Sequence, residues 1–179
     1  MYKDMQKTLL TKEQIANRVA VLGQKISKDY ENKNPVLICI LKGSCVFFAD
    51  LIRNIKIPLE VDFLAVSSYG QSTSSSGEVK VVKDLDKSID GRHVLIIEDI
   101  VDSGLTLSFI KQMLTRRNTK SAKICTLLDK PSRRNVSITP DYIGFEVGNH
   151  FLVGYGLDYA QMYRNLPEIC ILKPEIYNK

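Results

Sequence analysis

The chain has 179 residues, of which 44% are hydrophobic and 25% charged, a composition ordinary for one soluble globular domain large enough for a buried core. No apolar run approaches the roughly 18 residues of a membrane span, and "MYKDMQKTLL" lacks an apolar stretch ahead of a cleavage site, so a soluble cytoplasmic protein is expected. The net charge of +5 suits a nucleic acid or a highly anionic small molecule, and the basic residues are too dispersed to choose between them.

Thr11 and Gln14 fit a capping box, and Ile15, Val19, Leu22 and Ile26 recur at helical spacing behind it, which predicts a first helix. "PVLICIL" is a short continuous apolar run, read as a buried strand, and Phe47, Phe48, Leu51 and Ile52 mark one face of a second helix. "LEVDFLAVSS" alternates as a strand. "YGQSTSSSGE" has no aliphatic residue and is expected to be a mobile loop. "EVKVVKD" and "HVLII" resume strand character, Leu105, Phe109, Ile110, Met113 and Leu114 mark a third helix, and "AKICTLL" and "YIGFEV" read as further strands. Continuous apolar strands alternating with helices predict an α/β fold, a parallel sheet covered on both faces. Ligands of such sheets bind beyond the carboxyl ends of the strands. Those ends carry Lys42-Gly43-Ser44, Ser68-Tyr69, Glu98-Asp99 and Asp129-Lys130.

Cys39, Cys45, Cys125 and Cys170 form no CxxC pair, and His93 and His150 are far apart. Small buried thiols in a reducing compartment are expected, not disulfides or a structural zinc site.

"VLIIEDIVDSGLTLS" juxtaposes carboxylates with a tight turn. The turn "DSGLT" (Asp102, Ser103, Gly104, Leu105, Thr106) follows a buried strand and opens a helix, where unpaired N–H groups and the helix dipole favour an anion. Glycine admits the ligand close to the backbone, and Ser103 and Thr106 add hydroxyl donors. Simple N-capping by Asp102 or Ser103 is the competing explanation. Glu98 and Asp99 are neighbours on a strand, so they are expected to point to opposite faces rather than act as a paired acid and base. Carboxylates accept hydrogen bonds from a sugar diol. A ligand with a phosphate beside ribose hydroxyls satisfies both halves, with a magnesium ion nearby. There is no GxxxxGK[ST] phosphate loop, and "VGYGLD" holds only two glycines of a dinucleotide fingerprint.

"VLIIEDIVDSGLT" resembles the ribose-phosphate signature of type I phosphoribosyltransferases. "LKGS", "SSYG", "LLDKPSRR" and "VGYGLDYAQMYRNLP", in this order, resemble the hypoxanthine-guanine branch in its short bacterial form, over about residues 37–172. The resemblance implies a doubly wound parallel sheet flanked by helices, with a small hood subdomain from about residues 1–10 and 140–179 and a mobile lid over about residues 68–80 that includes Ser68 and Tyr69. It implies transfer of the phosphoribosyl group from phosphoribosyl pyrophosphate to hypoxanthine or guanine. Asp102 then stands where the family has its acid/base for purine N7, and Glu98, Asp99, Ser103, Gly104, Leu105 and Thr106 where it holds ribose and 5′-phosphate. Lys130 resembles the donor to the purine 6-oxo group, Phe151 the residue stacked on the base, and Leu152 one whose backbone faces it. Lys42 and Gly43, behind a cis Leu41–Lys42 bond, and Arg164 resemble contacts to pyrophosphate. Asp158, with Glu98 and Asp99, resembles the magnesium ligands. A homodimer or homotetramer is implied; a membrane or nucleic-acid partner is not. Two other readings share the fold: a regulator that binds RNA or DNA, against which Lys130, Phe151 and Asp158 speak together, and an enzyme preferring xanthine.

Overall fold

The computed structural model describes residues 1–68 and 79–178. Its main sheet has six strands in the order β4-β3-β2-β5-β6-β7: β2 (Val36–Leu41), β3 (Glu60–Ser68), β4 (Val79–Lys83), β5 (His93–Val101), β6 (Ser121–Asp129) and β7 (Tyr142–Glu146). The pairs β2–β3, β2–β5, β5–β6 and β6–β7 are parallel. The pair β3–β4 is antiparallel, so the sheet is mixed where the sequence suggested an all-parallel one. Residues 69–78 alone separate β3 from β4, too short a stretch for the dozen or so residues of a parallel crossover.

Helices cover both faces. α1 (Lys12–Asp29) starts on the predicted capping box, with both reciprocal bonds of Thr11 and Gln14 formed. With α2 (Cys45–Asn54) it buries Ile15, Val19, Leu22, Ile26, Phe47 and Leu51 against Leu37, Cys39, Leu95 and Ile97 of the sheet. α3 (Leu105–Thr115) buries Leu107, Ile110 and Leu114 on the other face, against Ile38, Ile40, Val94 and Ile96. Odd and even residues of β2 and β5 thus serve opposite cores, which is why these strands read as unbroken apolar runs.

A second sheet, order β1-β9-β8, joins β1 (Met5–Leu10), β8 (Leu152–Val153) and β9 (Ile169–Leu172) in antiparallel pairs. It has its own apolar cluster, which includes Met5, Val153, Leu166, Cys170 and Leu172. Leu152, Tyr155, Leu157, Ile169 and Ile171 fuse it to the core beneath α1 and α2. β7 belongs to the main sheet, so the second sheet takes only later residues of the stretch expected to form a hood. All four cysteines are free; Cys39, Cys125 and Cys170 are buried as expected, whereas Cys45 is exposed at the start of α2.

The strand order places the site. β2 pairs with β3 on one side and β5 on the other, so the connections leaving β2 and β5 diverge and open a crevice beyond their carboxyl ends. Leu41 and Val101, the last residues of these strands, deliver residues 42–44 and 102–104 to it.

Phe47 is fully buried in the larger core, whereas Val82 is 66% exposed. Phe47→Ala is expected to lower unfolding stability by about 3–5 kcal/mol in a urea titration, and Val82→Ala by less than about 0.5 kcal/mol.

Candidate active site

β5 runs past the predicted strand end to Val101, so Glu98 and Asp99 lie inside it. Beyond Glu98 the alternation inverts: Ile100 packs with the α1–α2 core and Val101 with the α3 core. The two acids therefore do not simply diverge. Burial pushes the Glu98 carboxyl well up, and the nearby Asp99 carboxyl raises it further. Glu98 Oε2 is buried without a hydrogen-bond partner among the described residues. Burial also raises Asp99, to about 6, although the Ile100 amide donates to its Oδ1 at 2.7 Å and Arg164 favours the ionised form.

The loop from β2 closes on Asp99. The Leu41–Lys42 bond is cis, as expected. A Cβ at Gly43 would collide with the Asp99 carboxylate, and one at Gly156 with the Gly43 carbonyl, so two glycines let three segments touch. Arg164 Nη1 donates to the Gly156 carbonyl at 2.7 Å, and Arg164 Nη2 lies 2.8 Å from Asp158 Oδ1. The Gln161 amide donates to Asp158 Oδ2 at 2.8 Å.

The turn after β5 is not side-chain capped. Gly104 is the N-cap of α3, at φ 82°, and no side chain caps the helix. Only the Ser103 hydroxyl approaches, accepting a long bond of 3.4 Å from the Leu105 amide. A Cβ at Gly104 would sit 2.7 Å from Ile138 Cγ2 and 2.9 Å from Arg134 Cδ. The turn is held from outside: Arg134 Nη1 donates to the Asp102 carbonyl at 2.8 Å and the Asn135 amide to the Ser103 carbonyl at 2.9 Å. The Asp102 side chain, 44% exposed, turns away from the helix instead. Arg133 Nε donates to its Oδ1 at 3.1 Å, and Lys130 Nζ lies 3.7 Å from its Oδ2. The first turn of α3 thus keeps its outward donors for a ligand.

Lys130 leaves the end of β6 with its amide on the Val101 carbonyl at 2.9 Å and its buried ammonium on the His150 carbonyl at 2.8 Å. Burial lowers its pKa, and the Asp102 charge opposes that shift. Phe151 is half-buried, stacked on Tyr177 with centroids 4.6 Å apart and edge-on to Tyr159 at 5.5 Å. Leu152 is buried at the start of β8. A cavity of about 570 Å³ brings together Asp99, Asp102, Lys130, Phe151, Leu152 and Asp158. Lys42, Gly43, Glu98, Arg164 and the turn Ser103, Gly104, Leu105 and Thr106 do not line it: Gly43 abuts Asp99, Arg164 pairs with Asp158, and the turn continues the chain from Asp102. Ser68 ends β3, whereas Tyr69 and the lid stretch through residue 78 lie outside the described residues.

Sequence reasoning missed Ile100, Arg133, Asn149, His150, Leu157 and Tyr177 in the cavity wall. Arg133 had a signal, since "KPSRR" follows the end of β6 directly. Tyr177 had none, because only folding carries the C-terminal segment to Phe151.

A family model described as the phosphoribosyl transferase domain matches residues 5–160. The chain belongs to the phosphoribosyltransferase family. It is 54% identical over 177 residues to the hypoxanthine-guanine phosphoribosyltransferase of Bacillus subtilis, covering 99% of this chain and 98% of that relative. A bifunctional protein TilS/HprT of Listeria innocua is 53% identical over 100% of this chain, which spans 28% of that relative's length. Among solved structures, a hypoxanthine phosphoribosyltransferase from Staphylococcus aureus has a TM-score of 0.97 at 49% identity, covering 100% of this chain and 97% of that one. At that coverage the likeness takes in the main sheet and the second sheet alike.

Burial raises the Asp99 carboxyl from its ordinary 3.8 to about 6. A raised carboxyl pKa favours the fold when protonated, so its contribution is present below about pH 4 and lost as pH rises through about 6. Asp99→Asn should therefore raise the urea midpoint at about pH 7.5 in metal-free buffer and leave it nearly unchanged at about pH 4.

Proposed function

We propose that this phosphoribosyltransferase is a purine salvage enzyme. It transfers the 5-phosphoribosyl group of phosphoribosyl pyrophosphate to hypoxanthine or guanine, giving IMP or GMP and pyrophosphate. One observation carries the reading: a single cavity joins Asp99 and Asp102, at the uncapped α3 turn, to Lys130 and Phe151. That pairs a ribose-phosphate end with a planar, carbonyl-reading end. The printed names of the similar proteins support it.

In this reading the backbone donors behind Gly104, with Ser103, Leu105 and Thr106, hold the 5′-phosphate. Glu98 and Asp99 accept the ribose hydroxyls. Lys42, Gly43 and Arg164 hold pyrophosphate, and Phe151 stacks on the base beside the backbone of Leu152. The buried Lys130 ammonium, oriented by the His150 carbonyl, donates to the 6-oxo group. An ammonium has no acceptor for the amino group of adenine, so the same residue rejects it. Asp102, oriented by Arg133, moves the proton at purine N7 as the glycosidic bond forms.

Magnesium fits the donor set. Glu98, Asp99 and Asp158 offer hard carboxylate oxygens, and Glu98 Oε2 has no partner among the described residues. No three metal-binding side chains converge among those residues, which suits an ion that takes one or two carboxylates and completes its shell with phosphate oxygens. An ion held by these carboxylates would supply positive charge to the pyrophosphate leaving group. A cytoplasmic location and a homodimer or homotetramer belong to the same proposal; no helix among the described residues is long and apolar enough to cross a membrane.

The test is nucleotide formation from phosphoribosyl pyrophosphate, magnesium and each purine base in turn. Turnover with hypoxanthine or guanine and not with adenine is expected, and its absence would overturn the reading. Asp102→Asn should lower kcat about 10²–10⁴-fold while the Kd for phosphoribosyl pyrophosphate stays within about three-fold. Lys130→Gln should lower the hypoxanthine-to-adenine ratio of kcat/KM, because an amide can turn to accept from the 6-amino group.

A further inference from the structure

Phe151 packs against the apolar cluster of the second sheet, as do Tyr159 and Tyr177, without being fully buried. It is half-buried and stands in a corner made by two tyrosines, Tyr159 edge-on at 87° and Tyr177 stacked at 23°. Tyr177 ends the single-turn helix α4 (Pro174–Tyr177), which hangs from the end of β9. The Lys173 amide donates to the Asp4 carbonyl at 3.0 Å and Lys173 Nζ to the Lys3 carbonyl at 2.7 Å. The Asn178 amide closes the turn on the Pro174 carbonyl at 2.9 Å. Ile176 packs into the cluster of the second sheet. The turn is therefore anchored on the N-terminal segment while its last ring reaches the cavity wall beside Phe151.

We infer that Tyr177 is a positioning residue for the purine end of the site. An offset-stacked neighbour fixes the plane of the Phe151 ring, and a planar heterocycle gains full stacking only on a ring held in that plane. The stacking contact of Tyr177 is with Phe151, and Lys42, Gly43, Ser103 and Gly104 are not among the residues that line the cavity with it. Its loss should thus be felt by the base and not by phosphoribosyl pyrophosphate. This rests on Phe151 being the base-stacking residue of the proposed function.

Tyr177→Leu keeps apolar bulk but cannot stack, and Tyr177→Phe keeps the ring. In the full chain, Tyr177→Leu should raise the KM for hypoxanthine about 3–10-fold and leave the KM for phosphoribosyl pyrophosphate and the Tm nearly unchanged. Tyr177→Phe should restore the wild-type KM for the base. An unchanged or lowered KM for hypoxanthine in Tyr177→Leu would overturn the inference, the lowered value showing that Tyr177 competes with the base. So would a parallel rise in both KM values, which marks a general structural effect. These outcomes need a wild type that turns over. An inactive wild type would sink the functional reading, and this inference with it.

Discussion

Asp99 is held where two strand ends and a loop from the second sheet come close enough to leave no room for a side chain. Its carboxylate fills the space that a Cβ on Gly43 would need, and the Gly43 carbonyl fills the space of one on Gly156. β2 and β5 are already neighbours in the sheet, and these close approaches bring the segment after Gly156, with Asp158 and Arg164, against their ends. They also remove much of the water around Asp99, which is why its carboxyl binds a proton more readily than in an open chain. The site is thus built around a carboxylate that the fold disfavours as an anion. A cation or sugar hydroxyls would meet that need, and the positive groups nearby do so only in part: Arg164 faces Asp99 but is already paired with Asp158.

The two sheets divide the work of shaping the cavity. The main sheet delivers acids and an anion-attracting helix start, because its parallel strands all end on one side and β2 and β5 lie at the switch point. The second sheet delivers an aromatic and apolar wall in Phe151, Leu152 and Leu157. Neither half makes a site alone. They meet through the shared core of Leu152, Tyr155, Leu157, Ile169 and Ile171 under α1 and α2, so their spacing is set by close-packed side chains rather than by a hinge.

Between the halves, Lys130 and Asp102 hold opposite charges at 3.7 Å, each with a further partner that limits its motion. The His150 carbonyl fixes the ammonium and Arg133 the carboxylate. Arg134 reaches from the same short segment to the buried Asp129 and to the Asp102 carbonyl, tying the end of β6 to the turn after β5. The proton transfer and carbonyl recognition proposed for Asp102 and Lys130 need groups placed before the substrate arrives, and these partners hold both side chains in place.

The sequence alone determined the elements whose order is local. The capping box of α1, the apolar runs of β2, β5 and β6, and the helical spacing of α2 and α3 were all readable, because side-chain period follows directly from backbone geometry. The motif at Glu98–Thr106 could be proposed as a phosphate and sugar site for the same reason: its donors and acceptors are consecutive in the chain. β1 was not readable as a strand. "MQKTLL" has no apolar alternation, and it becomes a strand only through pairing with β9 at the far end of the chain. The antiparallel return of β4 was likewise hidden, since an alternating strand looks the same in either direction. Only the tertiary structure decided that Asp102 leaves the helix uncapped for Arg133 and Lys130, that Gly43 and Gly156 are glycines because other backbones and a carboxylate crowd them, and that Tyr177 stands beside Phe151. Those facts depend on distances between segments remote in sequence, and no local pattern encodes a distance of that kind.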